Sequence, residues 1–301
     1  MVHFRKQPNV ISESVPQAGK FRGLLQKLAT FATPEGGCPY YGHTSASAEP
    51  TILAALALWA NAGPVGLFKS LVDFALSLQN KDGSIGVRFS HPREGLWVTA
   101  ELAILLHHAG RVGPLAPALD FIIATKSDTA PNDPRIRQDS TLVGWPWIPG
   151  TFGWVEPTAW ALIALDLAGL AGHGRAIEGR KFLLDRQMPS GGWNYGNPGL
   201  NDRELLPFWD TTGLALVALC GHVRPEQVVR SVDLLEKDQA RIESVCGLAW
   251  AVLGLQSHGR TISGLSRRLV EIMNATPDAE LNAAHLALGL IALSGKKVFV
   301  A

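Results

Sequence analysis

Charge is scarce in this chain: 18% of its 301 residues are Asp, Glu, Lys or Arg, and they sum to a net +1 at pH 7. Without a basic surplus there is no broad positive field to hold a nucleic-acid backbone. Cysteine is scarcer still, with Cys38, Cys220 and Cys246 the whole complement. Three separated thiols make neither a disulfide framework nor a close-spaced metal or redox motif, and reduced thiols suit a cytoplasmic location. The opening MVHFRKQPNVISESVPQ has no apolar stretch behind its charges, so residues 1–17 read as an arm rather than a secretory leader. No run reaches the roughly 20 apolar residues of a membrane span; the best candidate, Ala159 to Ala171, is cut by Asp166.

What the chain does have is repetition. Ala48-Glu49-Pro50-Thr51, Trp97-Val98-Thr99-Ala100, Val155-Glu156-Pro157-Thr158, Trp209-Asp210-Thr211-Thr212, Ile242-Glu243-Ser244-Val245 and Leu281-Asn282-Ala283-Ala284 each open an Ala/Leu-rich run. A run that is apolar nearly all the way round, behind a small or acidic opening residue, is how a fully buried helix reads. Between these runs, residues 18–32, 66–79, 114–126, 175–187, 225–239 and 262–275 place charges among apolar residues at helical spacing, the mark of helices with one wet face. Buried helices alternating with half-polar ones suit a two-layer closed ring, an all-α (α/α)6 toroid. The expected organisation is one toroid domain over residues 18–301, with a long insertion loop at 127–153 and the arm in front.

Several half-polar helices end in an apolar residue followed by Gln and a glycine turn, most fully in Phe182-Leu183-Leu184-Asp185-Arg186-Gln187 and Gly191-Gly192-Trp193. This pattern resembles the QW repeat of terpenoid cyclases and the related prenyltransferase repeat, with Lys126 and Asn274 standing where Gln is expected elsewhere. Thr158-Ala159-Trp160-Ala161-Leu162 is likewise similar to the inner-helix phrase of squalene-hopene cyclases. The resemblance implies an α/α toroid and, in its proton-initiated members, an Asp-x-Asp-Asp acid at an inner-helix start. Placed on that motif, Glu156 takes the position of the middle acid, with Trp154 and Pro157 replacing its neighbours, and Asp210 takes the corresponding place one repeat later. The Asp-rich Mg2+ clusters of ionisation-initiated members are missing. Asp210-Thr211-Thr212 and Asn282 also lack the Cys and His of the zinc prenyltransferases, so neither metal nor cofactor is expected.

If inner and outer helices alternate regularly, all inner N-termini share one rim, which would gather Glu49, Glu156, Asp210 and Glu243 around a single mouth. Acids at helix starts also cap free amides, and that serves structure alone. Trp145, Trp147, Phe152, Trp154, Trp193, Tyr195, Phe208 and Trp209 cluster in sequence, with Trp97 at an earlier opening, and such rings would line an apolar, cation-tolerant site or pack the insertion onto the ring. The leading expectation is therefore an isoprenoid-enclosing isomerase or cyclase, with Glu156 as proton donor, Asp210 as second acid, and the aromatics with Glu49 and Glu243 as substrate contacts. Hopanoid-forming members pair two helical domains and this chain has one, which leaves open a partner subunit or a peripheral membrane contact. A non-catalytic lipid- or protein-binding toroid is the rival, and a carbohydrate enzyme using paired rim carboxylates the third reading.

Overall fold

A computed structural model describes residues 18–88, 95–200 and 203–301; the arm at 1–17 lies outside the described residues. Twelve α-helices follow one another among these residues: α1 (Ala18–Ala29), α2 (Ala48–Ala60), α3 (Val65–Ser77), α4 (Thr99–His108), α5 (Val112–Ala124), α6 (Val155–Leu167), α7 (Gly174–Asp185), α8 (Trp209–Leu219), α9 (Pro225–Asp238), α10 (Val245–Ser257), α11 (Ser263–Ala275) and α12 (Ala283–Leu293). The even-numbered helices are the apolar runs and are buried along almost their whole length. Each packs against the next, and α12 packs against α2, so the inner ring closes. The odd-numbered helices bury one face against it, as α9 does through Val228, Ser231, Val232 and Leu235. The expected (α/α)6 toroid is the observed fold.

Hydrogen bonds fasten the joint between the ends of the chain. Asn61 donates to the Leu290 carbonyl at 3.2 Å, the Ala283 N–H to the Tyr40 carbonyl at 2.8 Å, and Lys27 pairs with Asp278 at 2.5 Å.

The repeated Thr of the inner-helix openings has a common task. Thr51, Thr99, Thr158 and Thr212 are all buried, and each hydroxyl accepts the N–H of the loop residue that leads in from the preceding outer helix: Cys38 at 2.8 Å, Ile85 at 3.0 Å, Trp145 at 2.9 Å and Trp193 at 2.9 Å. The Gln and glycine of the outer-helix ends complete the joint. Gln79 donates to the carbonyls of Gly83 and Pro114 at 3.0 Å each, and Gln187 donates to Ser231 at 2.7 Å. A Cβ at Gly83 would stand 2.2 Å from the Pro117 carbonyl, so only glycine lets that turn touch the next outer helix.

The long loop between α5 and α6 is pinned rather than loose. Arg175 donates to the carbonyls of Thr125 and Gly144 at 3.0 Å each, and its guanidinium lies 4.1 Å over the Trp145 ring.

Among the described residues, the axis of the ring is filled and leaves no hollow there for an isoprenoid. Trp160 of α6 and Trp250 of α10 meet edge to face across the axis at 5.3 Å, and Phe299 of the C-terminal segment inserts 5.3 Å and 5.5 Å from them. His108 holds that segment by donating from Nε2 to the Val298 carbonyl at 2.8 Å. The apolar cavity beside Trp97, Trp145 and Trp147 measures about 20 Å³, room for one water. The inner helices are apolar because they pack on one another, which corrects the expectation that their apolar faces enclose a lipid.

Two outcomes check this account. Thr158→Val strands the buried Trp145 N–H and should cost about 1–3 kcal/mol in denaturant melts, whereas Thr30→Val on the exposed face should change stability by less than about 0.5 kcal/mol. Ala62 has φ 49° where the other inner helices are followed by Gly110, Gly169, Gly221, Gly259 and Gly295 at φ 65–76°. Ala62→Gly should therefore raise stability by about 1 kcal/mol in the same assay.

Candidate active site

The regular alternation puts every inner-helix N-terminus on one rim, and the first turns supply its chemistry. Glu49, Glu156, Asp210 and Cys246 are each the second residue of α2, α6, α8 and α10, and His285 is the third residue of α12. Glu101 is the third residue of α4, two beyond Thr99. In α6 and α8 the acid stands two before the registering Thr, so Trp97 occupies the acid's place in the α4 repeat. Glu101 instead falls in the layer of Trp160, one turn deeper. That register explains why it is completely buried, at 0% exposure, while Glu49, Glu156 and Asp210 are half-buried and reached by solvent.

The groups feel one another. Burial, then Glu49 and Asp210, raise the Glu156 carboxyl to about 8, so it is mostly protonated at neutral pH. Burial, reinforced by Glu49 and Glu156, holds Glu101 well above the ordinary carboxyl range. Glu49 is pushed up by burial, and the Tyr40 hydroxyl that donates to its Oε2 works against this. Burial also raises the Cys246 thiol, with Asp210, Glu156 and Glu49 adding to it, which makes this cysteine a poor nucleophile. Desolvation lowers His285, opposed by Asp210. Asp210 accepts the Thr211 N–H at 2.8 Å and sits at the positive end of α8.

The aromatic residues divide into two layers. In the strand-like approaches to α6 and α8, Trp145 bridges Trp154 and Trp193 bridges Phe208. The first of each pair is core: Trp145 and Trp193 are 4% and 0% exposed, and their indole N–H groups donate to the carbonyls of Ile122 and Leu183. They act as wedges between helix pairs, so the expected substrate contact through them does not arise. The second of each pair is the residue before the helix, and Trp154, Tyr195 and Phe208 stay 37–46% exposed, with Phe152 at 55%. Tyr195 packs 5.0 Å from Phe208 and accepts the Val155 N–H on its carbonyl at 2.8 Å, joining the two approaches into one wall. Trp97 and Trp209 are half-buried against the core, with Trp147 set edge-on to Trp97 at 4.8 Å.

Glu243 does not join the rim. It lies exposed on the loop before Ser244, whose hydroxyl caps α10 by accepting from the Gly247 N–H at 3.0 Å, and Cys246 fills the corresponding place. Sequence reasoning missed Glu101 because it stands after the opening phrase, inside an apolar run. Counting two residues on from the repeated Thr would have found it. Tyr40 stands in a glycine turn before α2, and nothing local in the sequence shows that its hydroxyl reaches Glu49.

No protein-family model matches the chain, and no curated protein matches it. Solved structures do. An α-amylase from Clostridium perfringens superposes with TM-score 0.67 at 11% identity, over 93% of this chain and 99% of that one. A protein from Actinoplanes gives 0.61 at 14% identity over 92% and 98%. An inactive variant of an α-1,6-mannanase from Salegentibacter sp., in complex with α-1,6-mannotriose, gives 0.59 at 10% identity over 91% and 97%. At such identities the likeness establishes the fold.

These matches also correct the terpenoid-cyclase resemblance and the isoprenoid partner and cyclisation chemistry drawn from it. The named toroids on which the chain superposes are sugar enzymes, and the QW-like turns serve to join helix pairs in a ring whose axis is filled.

A proton bound more tightly in the folded than in the unfolded chain makes stability fall as pH rises, here from the ordinary carboxyl value of 4.5 through about 8 for Glu156. Glu101→Gln removes one such group. Its melting temperature should fall less over that window than the parent's, by at least about 2 °C; parallel curves would contradict the burial of an unpaired Glu101.

Proposed function

We propose that the protein is a glycoside-cleaving enzyme of the α/α-toroid type acting on an α-linked oligosaccharide, with Glu156 and Asp210 as its working pair. The observation that carries this reading is a solvent-reached carboxyl on α6 with a second carboxyl at the same register of the neighbouring α8, under a wall of exposed aromatic rings. Hydrolysis of a glycosidic bond needs an acid to protonate the departing oxygen and a carboxylate to assist the incoming water or the developing charge. Glu156 is the acid, because burial and its acidic neighbours keep it protonated where an ordinary Glu would be ionised. Asp210 is the base that takes the proton from water. Trp154, Tyr195 and Phe208 offer flat apolar faces for the C–H sides of sugar rings. The matched toroids are named as an α-amylase and an α-1,6-mannanase, which supports testing α-glucans and α-mannans first.

Among the described residues no helix is long and apolar enough to cross a membrane. All three thiols are free, with Cys38 buried, which favours a cytoplasmic location and an oligosaccharide met there.

Release of reducing ends from α-linked oligosaccharides should fall by about 10²–10⁴-fold in Glu156→Gln and in Asp210→Asn. With the parent, kcat/KM should decline as pH rises through about 8, where Glu156 loses its proton. Nitrophenyl glycosides need no proton on the leaving oxygen, so Glu156→Gln should retain far more activity on them than on natural linkages. Uniform loss on both, or hydrolysis untouched by either substitution, would remove the assignment.

A further inference from the structure

Consecutive inner helices α2, α4, α6 and α8 each bring one carboxyl to the mouth or directly beneath it, and among the described residues no Lys or Arg pairs with any of them. Glu101 is the extreme case. It is completely buried, and neither carboxyl oxygen has a hydrogen-bond partner among the described residues. Its register with Trp160 and Trp250, which meet across the axis, turns it toward the centre of the ring below Glu49 and Glu156.

Among the described residues, the groups that face this cluster from the surrounding elements are Tyr40 and Arg88 on the loops before α2 and α4, Tyr195 on the loop before α8, Cys246 on α10 and His285 on α12. Of these only Arg88 and His285 can be cationic. Arg88 is exposed, and desolvation disfavours the charged form of His285.

Buried carboxyls without a countercharge are held at a cost that an arriving cation would relieve. A metal ion is a poor fit, because among the described residues no three His, Cys, Asp or Glu side chains converge closely enough to hold one. An ammonium group fits better. It brings three N–H donors on a carrier large enough to span separated acceptors, and its carrier ring can lie on the aromatic wall.

From this arrangement we infer that the mouth recognises a glycan bearing a free primary amine, an amino sugar whose ammonium group settles beside Glu49 with Glu101 beneath it. The inference rests on the glycan reading for the carrier and on the unpaired acids for the amine. Glu49 is the contact because solvent reaches it and the Tyr40 hydroxyl fixes its position. Glu101 touches nothing from outside and acts through the field it adds. Binding ionises these acids, so the complex should release protons and weaken as pH falls.

The test is calorimetric titration of the whole protein with a glucosamine trimer and with its N-acetylated counterpart, in two buffers of different ionisation enthalpy. The free-amine trimer should bind at least about tenfold more tightly, release protons, and lose affinity with added salt. In Glu49→Gln the ratio of the two affinities should fall by about tenfold. If that variant does not fold, Glu101→Gln should bind the amine with fewer protons released.

Equal affinities for the two trimers, or a preference for the acetylated one, would overturn the amine site and leave the glycan reading standing. Binding of cyclohexylamine as tight as that of the free-amine trimer would support the cation site and count against the glycan reading. No binding of either trimer or of the simple amine would overturn the inference.

Discussion

Closure of the inner ring is the constraint from which the other features follow. With α12 seated against α2, each inner helix has an inner neighbour on both flanks and an outer helix behind, so hardly any part of its length can be polar. Polarity is pushed to the helix ends, and strict alternation sends every beginning to the same side. The chemistry of the mouth is thus a by-product of packing: it collects there because the rest of the inner layer has no room for it. The buried threonines play the complementary part. In the lead-in loops to α2, α4, α6 and α8 they satisfy a backbone N–H that the closely packed joint would otherwise leave without water.

The same crowding sets the acidity of the rim. An isolated Glu at a helix start would be expected to ionise readily, helped by the helix dipole. Here desolvation and neighbouring carboxyls overcome that help for Glu156, because Glu49 on α2 and Asp210 on α8 stand on the same narrow ring. A single acid beside it would do less. The asymmetry matters too: acids occupy the α2 to α8 side, whereas α10 and α12 contribute a thiol and an imidazole. The exposed aromatic wall stands on the acidic side as well.

Most of the fold was legible in the sequence because a closed helical ring writes itself in periodic text. Apolar runs such as Ala48–Ala60 and half-polar runs such as Pro225–Asp238 differ visibly, and both came out within a residue or two of their observed bounds. Glu49, Glu156 and Asp210 were legible for the same reason, since they repeat at one register. Glu101 was not, because it breaks the register, and Glu243 misled because it keeps the look of the phrase while standing outside the helix. The filled axis was the largest surprise. Phe299 lies in a short tail with no periodicity, so nothing local announces that it inserts between Trp160 and Trp250. The QW-like turns pointed to the right architecture and the wrong chemistry, since a device for joining helix pairs says nothing of what the rim binds.

Phe299 also determines how traffic can run. With the axis filled by the protein's own tail, the rim has no passage beneath it. A polymer cannot be threaded through and released behind; whatever enters must back out by the way it came. On the proposed glycan reading, a rim closed beneath suits short chains or free ends far better than the interior of a long strand, and each visit ends with a departure before the next can begin.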